Sequence, residues 1–143
     1  MFINPGAPEI ASLLRRIRTI AVVGLSVKPD RPSYGVARAL QGYGYRVLPI
    51  NPAADMILGE RVARDLAGAA SLLRPGERID LVDVFRQSAH VAAIVDDCIR
   101  LKLPALWLQD GVIDEDAAAR ARAAGIFTVM NRCIFRDRAQ VSL

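Results

Sequence analysis

A chain of 143 residues, 52% hydrophobic and 24% charged, fits one compact domain with a substantial core. No apolar run approaches the roughly 18 residues needed to span a bilayer, and residues 1–6 lack the charged-then-apolar layout of a secretory signal. The two cysteines form neither a disulfide framework nor a metal-ligand spacing, and the net charge of +4 is spread with no basic run longer than Arg15-Arg16, which argues against a nucleic-acid partner. A cytoplasmic protein without membrane attachment is the resulting expectation.

Ile10, Leu13, Leu14 and Ile17 recur at helical spacing behind Pro8 and Glu9, so a short helix is predicted over about 8–17. The β-branched run 19–23 reads as a buried parallel strand. It feeds a turn containing Gly24, Ser26, Lys28 and Arg31, and Pro32 and Ser33 suit the start of a helix. Val36, Ala37, Leu40 and Tyr43 mark one face of that helix, which ends near Gly42 or Gly44. Residues 46–50 make a second strand running into Asn51-Pro52. The stretch 53–75 is less regular, with a turn at 58–60 and a short helix starting at 65–67.

A third strand is predicted at 79–85, followed by a helix with Val91, Ile94, Val95, Cys98 and Ile99 on one face. Pro104 stops that helix and 105–108 give a fourth strand. Asp114 suits an N-cap, Gly125 a helix end, and 126–130 a fifth strand. Strands separated by helices imply an α/β, Rossmann-like, doubly wound parallel sheet of about five strands, forming a single domain over 1–143 with its core at about 18–134.

In such sheets ligands bind outside the carboxyl ends of the strands. That rule selects 24–33, Asn51-Pro52, 85–88, 109–111 and 131–133. The G-x-G-x-x-G dinucleotide fingerprint is only partly present: Gly24 matches, Ser26 stands at the second glycine, and no Asp or Glu closes the second strand to hold a ribose. These departures disfavour NAD or NADP and favour a ligand richer in phosphate charge.

Gly24 and Ser26 suit either a tight turn with a helix cap or a backbone brought close to a pyrophosphate, and Lys28 and Arg31 suit either solvated loop positions or phosphate oxygens. Asn51 and Pro52 suit either a turn or contact with adenosine. Arg86, at a strand end, needs an anionic ligand or a carboxylate partner. Asp83 within the third strand is expected to accept backbone hydrogen bonds or pair with an arginine. Gln109 and Gly111 suit either a ligand or a helix-entry turn, and Trp107 belongs in the core. His90 has no nucleophile nearby in sequence, and Cys133 is either a core residue or a neighbour of the ligand's reactive end.

The motifs 24–26 with 31–34, Asn51-Pro52, 80–86, 107–112 and 131–133, taken in order, resemble the stand-alone CoA-binding domain family. These small proteins of bacteria and archaea are similar to the CoA-binding domain of the succinyl-CoA synthetase alpha subunit. The resemblance implies coenzyme A or an acyl-CoA as ligand. It implies contacts from Gly24, Ser26, Val27, Lys28, Arg31 and Ser33 around the phosphates and ribose. Asn51 and Pro52 would flank the adenosine, Val84, Phe85 and Arg86 would line the groove, and Gln109 and Gly111 would border the pantetheine. Asn131 would join the site where the family more often has Asp.

The phosphohistidine and grasp domains of the synthetases have no counterpart in this sequence, so a non-catalytic binding module is expected, as a homodimer or with a partner enzyme subunit. The alternatives are an NAD(P)-binding redox or sensor protein and a CoA-binding subunit of an acyl-CoA ligase whose partner chain supplies catalysis.

Overall fold

The computed structural model describes residues 1–142. Its centre is a sheet of five parallel strands: β1 (Thr19–Val23), β2 (Arg46–Ile50), β5 (Leu81–Val84), β6 (Ala105–Leu108) and β7 (Phe127–Val129). The spatial order is β2-β1-β5-β6-β7, so the chain runs outward from β1 to β2 and then returns past β1 to build the other half. The strand order reverses between β1 and β5, and a crevice opens at the carboxyl ends of the strands at such a point.

All five residues of β1 and all four of β5 and β6 are buried, because helices cover both faces. On one face α1 (Ala7–Arg16), α2 (Pro32–Gly42) and α6 (Ile134–Ala139) pack Leu13, Leu14, Leu40 and Ile134 against Ile20, Val22, Leu81 and Trp107. On the other, α3 (Leu66–Ala69), α4 (Val91–Arg100) and α5 (Glu115–Ala123) pack Leu66, Val95, Cys98 and Ala118 against Ala21, Leu48, Val82 and Leu106. Asp114 caps α5 as expected, accepting the Ala117 N–H at 3.0 Å. Trp107 is a core residue whose Nε1 donates to the Arg132 carbonyl at 2.8 Å.

The structure departs from the sequence reading in four places. The turn at 58–60 belongs to a two-stranded antiparallel hairpin, β3 (Met56–Ile57) and β4 (Glu60–Arg61). Arg46 ties it to the sheet through Glu60 at 2.5 Å, and its guanidinium also donates to the Leu72 carbonyl at 3.1 Å. The core continues past 134 into α6, whose Arg138 is buried and donates to Tyr45 Oη at 2.9 Å, while Tyr45 donates to the Leu14 carbonyl. Tyr43 leaves the buried face of α2: it is the helix C-cap, 39% exposed, with the Arg138 guanidinium 4.2 Å above its ring. β5 and β7 are also shorter than predicted, and Ile79 and Ile126 sit in the core just before these strands begin.

Candidate functional site

Gly24 ends β1 in the left-handed region, at φ +84°, a conformation open chiefly to glycine. Its amide donates to the Ile50 carbonyl at 3.0 Å. A Cβ at this position would lie 2.5 Å from the Phe85 carbonyl oxygen and 2.9 Å from Arg86 Cδ. The glycine is therefore required by the close approach of the β1 and β5 ends, whatever occupies the cleft.

The loop beyond it is stapled by its own serines. The Ser26 amide donates to Ser33 Oγ at 3.0 Å, and the Lys28 amide donates to Ser26 Oγ at 3.0 Å. Ser33 is buried, in the first turn of α2, and Pro32 opens that helix at a position where its missing N–H costs nothing. These bonds hold Lys28 and Arg31 on an exposed rim beside the α2 N-terminus, where the helix dipole favours anions.

A cleft of about 670 Å³ runs from this loop across the mouth of the sheet, within the roughly 300–1,000 Å³ range of cofactor pockets. Of the residues expected at the site it brings together Gly24, Ser26, Lys28, Arg31, Ser33, Phe85, Arg86 and Gln109. Among the described residues, Lys28, Arg31 and Arg86 have no carboxylate partner. Arg86 instead meets His90 Nε2 at 3.1 Å.

The remaining six expected residues lie elsewhere. Pro52 lines a second recess of about 200 Å³ with Arg64, Asp65 and His90, which shares Gly24 and Arg86 with the main cleft. Asn51 uses its side chain to brace loops: Nδ2 donates to the Leu25 carbonyl at 2.9 Å and Oδ1 accepts the Ala53 amide at 2.8 Å. Asn131 acts similarly, standing at φ +60° and accepting the Gly111 amide at 2.8 Å. Gly111 (φ +76°) and Val27, which is 51% exposed, are outside the cleft lining. Val84 is fully buried in β5.

The cleft also recruits Asp110, Val112, Cys133 and Arg136. Arg136 donates to Asp110 at 2.8 Å, and that hydrogen bond holds its guanidinium above the ordinary arginine range. Arg136 had no signal in the sequence, because α6 reads as an ordinary charged segment. Gln109 is 4% exposed, and its Oε1 accepts the Ile134 amide at 3.1 Å.

Asp83 carries two of the buried polar atoms left without a hydrogen-bond partner among the described residues. It lies between Val22 and Trp107 in the sheet register, fully buried, and neither carboxyl oxygen meets a hydrogen-bond partner. The expected backbone or arginine partner is absent. Burial pushes its carboxyl well above the usual range, opposed only by the nearby Val84 amide, which falls short of hydrogen-bond geometry.

Among the described residues there is no cluster of three metal-type ligands, and no helix is long and apolar enough to cross a membrane. The family model described as CoA binding domain matches residues 18–138. The protein YneT of Bacillus subtilis (strain 168), itself described as uncharacterized, is 36% identical over 131 residues, covering 92% of this chain and 93% of that protein. A solved structure of a Thermus thermophilus protein, cell-free ID.343, superposes with a TM-score of 0.85 at 30% identity, over 95% of this chain and 98% of that one. A protein described as acetyl-coenzyme A synthetase 1 of Ca. Korarchaeum cryptofilum shares the fold, with a TM-score of 0.62 at 24% identity. There the match covers 77% of this chain but 25% of that one.

Proposed function

The chain belongs to the CoA-binding domain family, and on that premise we propose that it binds coenzyme A or an acyl-CoA in the main cleft without itself catalysing a reaction. One observation carries this reading. Three cations free of carboxylate partners, Lys28, Arg31 and Arg86, converge with the start of α2 on one cleft at the strand-order reversal. Such a group suits several phosphate charges, and guanidinium forks match phosphate oxygens in particular. Val112, Phe85 and Val36 give the same cleft an apolar wall for a long neutral arm.

In this assignment the phosphates lie against 24–33, and the pantetheine runs past Gln109 toward the β7 end. Asn51, Gly111 and Asn131 serve the site by holding its loops. The assignment extends to a protein working in the cytoplasm, alone as a homodimer or as a subunit beside a catalytic partner.

Isothermal titration with CoA tests the reading. Wild-type protein binds, NADH gives little heat, and Arg31→Ala weakens CoA by about ten-fold or more, the loss of one charge-assisted contact at an exposed rim. Equal affinity for CoA in wild type and Arg31→Ala, or preference for NADH, overturns it.

A further inference from the structure

The main cleft is chemically polarised along the sheet. Its walls follow the strand order: Gly24 and Ser26 after β1, Phe85 and Arg86 after β5, Gln109 after β6, Cys133 after β7. The cations that lack a carboxylate partner among the described residues stand at the first two positions. At the far end Arg136 is engaged by Asp110, so that end offers no free charge. Gln109, 4% exposed, turns its amide into this far half. Its Oε1 is occupied by the Ile134 N–H, while no acceptor among the described residues meets Nε2. An amide donor left open on the wall of a cleft suits a carbonyl from a ligand.

Length fits the same orientation. Three strand spacings of about 4.8 Å separate β1 from β7, roughly 14 Å in all. The main chain of a pantetheine arm, about twelve atoms, equals four residues of extended backbone, ~13–14 Å. An arm whose pyrophosphate sits at the β1 loop therefore ends with its sulfur at β7.

We infer that Cys133 is a covalent docking site for the CoA sulfur, forming a mixed disulfide by exchange with a disulfide of CoA. The inference rests on the proposed ligand and adds a bond to it. The Cys133 sulfur, as thiolate, attacks one sulfur of the CoA disulfide; the reagent's S–S bond breaks as the new one forms. The electron pair leaves on the second CoA as thiolate, which takes up the proton that Cys133 released. The disulfide reagent is the only oxidant required. Cys98 provides an internal contrast: it lies on the buried face of α4, in the core, with its thiol pushed up to about 12 by burial.

The test incubates the full chain with CoA disulfide and maps the adduct by peptide mass spectrometry, with CoA calorimetry on the same preparation. One CoA on Cys133, none on Cys98, released by dithiothreitol and missing from Cys133→Ser, is expected. Positioning by the nucleotide makes the reaction about ten-fold or more faster than with pantethine, the disulfide of the same arm without the nucleotide. Wild-type protein that binds CoA but gives no adduct overturns the covalent step and leaves the binding reading standing. Equal rates with pantethine, or labelling of Cys98, overturn it too. Absence of CoA binding in the calorimeter overturns the binding reading and this step together.

Discussion

Gly24→Ala would place a methyl group between two strand ends that already touch. The residue stands at φ +84°, and the new carbon would meet the Phe85 carbonyl oxygen at 2.5 Å and Arg86 Cδ at 2.9 Å. The left-handed backbone costs a non-glycine residue roughly 1–2 kcal/mol. Pushing an extra carbon into a wall that includes backbone adds about 1–3 kcal/mol, for a total of roughly 2–5. Gly111 is the control: at φ +76° with nothing within 4 Å of its Cβ position, Gly111→Ala carries the backbone cost alone. Unfolding entropy of about 2.1 cal/mol/K per residue gives about 0.3 kcal/mol/K for 143 residues. Tm should therefore fall by roughly 7–17 °C in the first variant and roughly 3–7 °C in the second. Thermal unfolding followed by circular dichroism measures both. Equal losses would refute the reasoning, because the approach of Phe85 would then contribute nothing.

Three further outcomes are expected. Asp83 retains its proton in the folded protein at pH values where the unfolded chain has lost it, so its contribution to stability falls as pH rises through that window. Urea denaturation at about pH 5 and about pH 8 should show Asp83→Asn gaining on wild type at the higher pH; parallel profiles would contradict the assigned burial. Tyr45→Phe removes the hydroxyl that joins the Leu14 carbonyl to Arg138 and should cost about 1–3 kcal/mol in chemical denaturation. Affinity for CoA should decline as ionic strength rises, because Lys28 and Arg31 are exposed and salt screens such charges; a flat salt response in calorimetry would place the phosphates elsewhere.

The strands were legible because fully covered parallel strands appear as unbroken apolar runs, and 46–50 and 105–108 match the observed bounds of β2 and β6. The cleft residues around 24–33 and 85–86 followed from the rule that loops at the carboxyl ends converge. The hairpin at 56–61 escaped because two-residue strands carry no alternation to read. Asn51, Gly111 and Asn131 sit in the right loops, but a side chain's hydrogen-bond partners are set by tertiary contacts 20 or 26 residues away, which spacing does not reveal. Arg136 and the solitary carboxyl of Asp83 were hidden for the same reason: each depends on what the fold sets opposite it.

The junction at Gly24 gathers three chain segments at one point, through its amide to Ile50 and its bare α-carbon against Phe85. A floor knotted in this way has no slack to open by sliding one strand past the next. Any adjustment of the cleft must then come from the rim, from exposed side chains such as Lys28 and Arg31. Slow amide exchange at Gly24 beside fast exchange at Val27 and Asp30 would be the signature of that division between anvil and fingers.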